Sequence, residues 1–114
     1  MNTPRTHSPL RRYLRHGMLP QLAAFEAVVR LGSATRAGEA LCMAQPTISG
    51  HLHKLGQALE VRLFMLQGKR LVPTDAAQPL LTAVHEVFAA LERCERELQD
   101  LKANHQSGTS TERG

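Results

Sequence analysis

The residues from Gln45 onward bring an amide, hydroxyls, an imidazole and an ammonium group close together in Gln45, Thr47, Ser49, His53 and Lys54. None is an activated nucleophile, and their spacing does not make a metal site. What they share is the capacity to donate and accept hydrogen bonds at a surface open to close approach, since Pro46 and Gly50 stand among them. A glutamine amide can both donate to and accept from an adenine edge, a threonine methyl can touch thymine, and serine can bond a base or a phosphate. The plain alternative is that Gln45 and Ser49 merely cap or solvate a helix. Two further groups flank this set. Ser33, Thr35 and Arg36 lie upstream at a point where a helix can begin, so free backbone amides would add to the positive end of its dipole. Lys69 and Arg70 lie downstream beside Gly68, in a place suited to a turn.

Catalysis finds no support. The chain has no nucleophile elbow, phosphate loop or zinc-protease spacing. Glu26, Glu39 and Glu60 fall on separate segments, where solvated or capping roles explain them. His51 and His53 are two apart on a helical segment and point in different directions, so they cannot share an ion. Cys42 and Cys94 make no disulfide or metal framework and read as small core residues. No cofactor is indicated.

The elements that would position these groups follow from periodicity. From Pro20, residues Leu22, Phe25, Val28 and Val29 recur at helical spacing, and proline suits a first turn. Gly32 ends that helix and Ser33 can cap the next. In the short second helix Ala34, Ala37 and Leu41 face inward beside Gly38. Cys42, Met43 and Ala44 make a tight connection, and Gln45 starts a third helix with Pro46 in its first turn. Ile48, Leu52, Leu55 and Leu59 form its buried stripe, which leaves Pro46, Gly50, His53, Lys54 and Gln57 on the other side. Leu41, Met43 and Ile48 are expected to form the small core under the turn, with Ala37 and Gly38 allowing the two helices to cross closely. Two apolar runs, Leu63 to Leu66 and Leu71 to Val72, flank Gln67-Gly68-Lys69-Arg70 as a hairpin. Thr74 or Asp75 can cap a final long helix, which Pro79 should kink or delay.

On that last helix Leu80, Val84, Val87, Leu91, Cys94, Leu98 and Leu101 step by alternating fours and threes, an a/d heptad seam with charged flanks. A helix projecting from a small domain cannot bury such a seam alone, so a second copy is the simplest partner. Charge is divided in the same way. Residues 1–73 carry a net charge of +7 and residues 74–114 carry −3, which suits a front that meets phosphate and a back that does not. A solvated basic surface is the bland reading of that asymmetry. The apolar stretches are too short to cross a bilayer, and the basic start lacks the apolar run of a signal peptide. A cytoplasmic, nucleoid-associated setting fits the residue usage best.

The stretch AFEAVVRLGSATRAGEALCMAQPTISGHLHKLGQALEVRLFMLQGKRLVPTDAA resembles the N-terminal winged helix-turn-helix of LysR-type transcriptional regulators. The resemblance runs roughly from Leu19 to Leu91 and rests on Leu22, Phe25, Gly32-Ser33, Thr35-Arg36-Ala37, Glu39-Ala40-Leu41, Gln45-Pro46, Ser49, Leu55, Leu59, Leu63-Phe64, Gly68 and Thr74. It implies a bacterial regulator whose long linker helix pairs antiparallel with its twin, placing two recognition helices on an inverted-repeat site. A larger C-terminal domain would carry any small-molecule effector site and could extend a dimer to a tetramer, so the chain reads as an excised DNA-binding fragment. Several positions depart from the family pattern. Ala34 replaces a bulky aromatic, Gly56 a glutamate, Glu60 and Ala77 glycines, and Leu66 an arginine before the wing tip. Gly50 replaces a larger polar or basic side chain on the recognition helix, which shifts base reading to Gln45, Thr47, Ser49 and His53.

Taken together, the sequence predicts a mainly α chain: a winged helix-turn-helix of three helices plus a β-hairpin wing, then a long dimerisation linker helix. The expected divisions are a flexible basic arm over 1–18, the winged unit over 19–74, the linker helix over 75–102 and a disordered tail over 103–114. The expected activity is sequence-specific binding of double-stranded DNA, with residues 45–57 in the major groove, Lys69 and Arg70 reaching a neighbouring minor groove, and no membrane partner. The competing expectation is a winged-helix protein-interaction module with a coiled-coil dimerisation helix. Such a module should show exposed leucine, tyrosine or arginine anchors, where this helix shows Thr47, Ser49, Gly50 and Lys54.

Overall fold

The computed structural model describes residues 17–108; the expected basic arm and the end of the expected tail lie almost wholly outside them. Within that range the order is α1 (Met18–Leu31), α2 (Ala34–Leu41), α3 (Gln45–Leu59), β1 (Phe64–Gln67), β2 (Arg70–Pro73) and α4 (Ala77–Gly108). The fold is therefore mainly α with one two-stranded antiparallel hairpin.

Helix α1 buries Leu22, Phe25 and Val28 together with Ala24 and Ala27, so small residues fill the gaps in the predicted stripe. Gly32 closes it at φ 74°, and its N–H donates to the Val28 carbonyl at 2.7 Å. This left-handed conformation is one that glycine adopts without penalty. Ser33 then caps α2, its hydroxyl oxygen accepting from the Arg36 N–H at 3.2 Å. Ala24, Ala27, Val28, Ala37 and Ile48 make the central cluster, with Leu41, Met43, Leu52, Phe64 and Leu71 packed around it. The core of aliphatic and small residues expected under the turn is thus present.

The crossing of α2 and α3 has little tolerance. A Cβ built on Gly38 would lie 2.5 Å from the Met43 carbonyl oxygen, closer than real side chains come. The Gly38 carbonyl also accepts the Met43 N–H at 2.9 Å, so the turn is held by the backbone it crosses. Cys42 occupies the left-handed region at φ 57° and is exposed. The expectation that it is a small core residue is corrected: the tight turn forces this position outward. Cys94 is likewise exposed in the chain by itself.

The hairpin pairs Gln67 with Arg70, leaving Gly68 and Lys69 as a two-residue loop. Gly68 has φ 64°, the positive value that the first loop position of such a turn requires. Phe64 anchors the hairpin on α1 through the Phe25 ring, with centroids 5.7 Å apart. At its base the Thr74 N–H donates to the Leu63 carbonyl at 2.9 Å, while the Thr74 hydroxyl donates to the Arg62 carbonyl. Thr74 therefore fastens the hairpin instead of capping the last helix by its side chain.

Helix α4 begins at Ala77, two residues later than expected, through turn-like bonds from Ala77 to Thr74 and from Gln78 to Asp75. Pro79 falls in its first turn, where an N–H has no helical partner, so it delays the onset and introduces no break. The helix also runs past the expected boundary near 102 to Gly108, which makes residues 103–108 helical where a disordered tail was expected. No helix among the described residues is long and apolar enough to cross a membrane.

Candidate nucleic-acid interface

Helix α3 divides cleanly between its two faces. Ile48 and Leu55 are fully buried, Leu52 and Leu59 half-buried, and Gln45, Pro46, Thr47, Ser49, Gly50, His53, Lys54 and Gln57 are exposed. The buried stripe fixes the rotation of the helix, and with it the direction in which the polar set points. Its N-terminus starts at Ala44, whose carbonyl accepts from Thr47 and Ile48 at 2.9 and 3.1 Å. Pro46 sits in the first turn and costs no bond there.

Two of the predicted readers are coupled. Gln45 Nε2 donates to Ser49 Oγ at 2.8 Å, across one helical turn. That bond orients the amide and leaves its carbonyl oxygen and the serine hydroxyl proton for an external partner. The sequence treats the two as separate contacts; the structure makes them one unit. Gly50 has no atom within 4 Å of a built Cβ, so this surface stays open and the backbone can be approached closely.

On α2, Thr35 and Arg36 are exposed in the first turn and Ser33 is half-buried as its cap. The hairpin separates the two basic residues assigned to it. Both are exposed, Lys69 in the loop at the tip and Arg70 on the strand that follows. Arg70 opens β2, and its guanidinium turns back over Gly32: a Cβ built there would meet Nη2 at 3.3 Å and Cζ and Nε at 4.0 Å. Arg30, in the last turn of α1, is occupied by Glu26 at 3.0 and 3.1 Å, and this hydrogen bond, then the charge of Glu26, raises its pKa.

Between α3 and the hairpin lies an open cleft of about 580 Å³, bordered by Ser49, His53, Gln57, Arg62 and the apolar Phe64 and Leu71. Arg62 and Gln57 were absent from the predicted site. Arg62 stands in a connecting segment without periodicity, and only its charge could have flagged it. Leu66, on β1, is 69% exposed, the largest exposure among the exposed large apolar residues described.

Along α4 the seam splits. Leu80 is half-buried and Val84 fully buried, whereas Val87, Leu91, Leu98 and Leu101 are exposed, the last three by about half. The exposed part of the seam begins at Val87.

Three packed helices, a close crossing at Gly38, an exposed polar third helix and a basic-tipped hairpin define a winged helix-turn-helix domain. The sequence pattern of bacterial regulatory helix-turn-helix proteins of the lysR family matches residues 19–78, over half of the chain, and the chain belongs to that family. Its relatives include the HTH-type transcriptional activator CmpR of Synechocystis sp., 32% identical over 89 residues that cover 78% of this chain and 29% of CmpR. A second is an HTH-type regulator encoded in the ibpB-leuC intergenic region of Azotobacter vinelandii, 37% identical over 86 residues, covering 75% of this chain and 60% of that protein. The chain thus spans less than two thirds of either relative. Among solved structures, the BenM DNA-binding domain in complex with catB site 1 DNA superposes with a TM-score of 0.70 at 23% identity, covering 76% of this chain and 94% of that one. The fold is thus that of a regulator's DNA-binding domain, and the family is one of transcriptional regulators and not of enzymes.

Proposed function

We propose that this domain binds double-stranded DNA sequence-specifically, with α3 in the major groove, the Lys69 tip of the wing at an adjacent minor groove, and two copies acting together on an inverted repeat. The observation that carries the reading is the exposed face of α3. Its polar groups are confined to one side by the buried Ile48 and Leu55, and nothing bulky obstructs approach at Gly50. Gln45, held by Ser49, is the main reader, aided by Thr47 and His53, with Lys54 and Arg62 beside the phosphate backbone. Ser33, Thr35 and Arg36 at the start of α2 brace against a second phosphate, where free amides and the helix dipole favour an anion. The solved complex of the BenM domain with DNA supports the same use of the fold.

Pairing rests on Val87, Leu91, Cys94, Leu98 and Leu101, an exposed apolar seam with the a/d step of a coiled coil. Such a regulator would work in the cytoplasm, on the nucleoid. A selection of duplexes from a random pool tests the proposal. Enrichment of an inverted repeat with half-sites one helical turn apart, or a multiple of that, is expected. No enrichment over the starting pool would overturn it.

A further inference from the structure

The two basic residues of the wing do not occupy equivalent places. Lys69 projects from the loop, while the Arg70 guanidinium lies over Gly32, the residue that closes α1. The last carbonyls of a helix lack helical partners and form the negative end of its dipole, which favours a cation within the final turn. Arg30 stands in that turn but is paired with Glu26. Among the described residues no carboxylate pairs with Arg70 and no hydrogen bond claims it. Gly32 makes the close approach feasible. Any side chain there would be strained at φ 74° and would also press on the guanidinium.

We propose that Arg70 is a positioning residue for the DNA contact: its guanidinium, lodged over Gly32 at the carboxyl end of α1, holds the hairpin at the angle from which Lys69 meets the duplex. This rests on the DNA-binding reading above. Arg70 then acts through Lys69 and makes no phosphate contact of its own. The Phe64–Phe25 contact and the Thr74 bonds hold the base of the hairpin, which leaves its tip as the part able to tilt. A cation resting over the end of α1, attracted by the helix dipole and not by a hydrogen bond, restrains that tilt close to the tip.

A double-mutant cycle on the full chain separates positioning from contact. Binding of a mixed-sequence duplex is measured across a salt series for the unaltered protein, Lys69→Ala, Arg70→Met and the double variant. Each phosphate contact contributes a salt slope of about 0.9. A positioning role predicts that Lys69→Ala lowers the slope by about 0.9 and that Arg70→Met lowers it by up to that amount. The double variant then behaves as Lys69→Ala alone. Additive slope losses, about 1.8 in the double variant, would overturn the proposal by making Arg70 a direct contact.

A second readout needs no DNA. Amide hydrogen exchange in β1 and β2 of the free protein should quicken in Arg70→Met and return toward the original rate in Arg70→Lys, which restores a cation. Unchanged exchange in Arg70→Met would also overturn the proposal. A chain that bound no duplex at all would refute the DNA reading instead, and the exchange experiment would still decide the role of Arg70.

Discussion

Replacing Gly38 by alanine probes the crossing on which the interface depends. In an open helix this change adds about 1 kcal/mol of stability, because glycine loses more backbone freedom than alanine on folding. Here the new Cβ would stand 2.5 Å from the Met43 carbonyl oxygen and 3.6 Å from the Gln45 nitrogen, both backbone atoms of the turn. A flexible side chain could swing away, but these atoms are tied by the Met43-to-Gly38 hydrogen bond at 2.9 Å. Forced overpacking costs roughly 1–3 kcal/mol, and a rigid backbone neighbour puts this case at the upper end. The net expectation is a loss of about 2 kcal/mol after the propensity gain is set against it. For a domain of this size that corresponds to a melting temperature lower by roughly 8–16 °C. Gly50→Ala is the matched control, since no atom lies within 4 Å of its Cβ; it should gain about 1 kcal/mol. Thermal unfolding followed by circular dichroism measures both. If Gly38→Ala melted at or above the parent temperature, the close crossing and the argument built on it would be wrong.

Three other substitutions test separate parts of the account. Glu60 closes α3 at φ 61°, a conformation costing roughly 1–2 kcal/mol for a residue with a Cβ. Glu60→Gly should therefore raise the urea midpoint by the equivalent of about 0.5–1 kcal/mol, after glycine's own entropy cost, with an unchanged m-value; a lower midpoint would contradict the assignment. Gln45→Ala removes both the amide and its bond to Ser49. It should reduce discrimination between a selected site and random duplex, where a bidentate contact contributes about 1–3 kcal/mol; equal losses on both DNAs would count against base reading. Leu98→Lys places a charge on the exposed seam, so sedimentation equilibrium should find monomers with unchanged helicity. A persistent dimer would mean that the chains pair elsewhere.

Much of the positioning scaffold was legible because it rests on local rules. Ser33 as a cap, Gly32 and Gly68 at positive φ, Pro46 in a first turn and the Ile48–Leu55 stripe each express a steric or hydrogen-bonding requirement visible in neighbouring residues. Gly38 was legible as a small residue where two helices must meet. The partners of individual side chains were not legible. The Thr74 hydroxyl bonds to a carbonyl twelve residues away, at Arg62, and is therefore lost to the expected helix cap. The direction of Arg70 depends on α1, far from it in sequence. Gln21 is polar yet buried, on a helix whose apolar spacing alone predicted the inward face. The polarity of the segment after Leu101 hides the end of α4 in the sequence. Lys102, Ala103 and Gln106 are good helix formers and extend a helix at little cost.

The central claim is that the polar face of α3 and the wing together meet duplex DNA. Its most direct test is the affinity of the unaltered chain for a mixed-sequence duplex across a salt series. Log affinity is expected to fall linearly with log salt, from the counterions released by several lysine and arginine contacts. A binding constant that did not change with salt would contradict it.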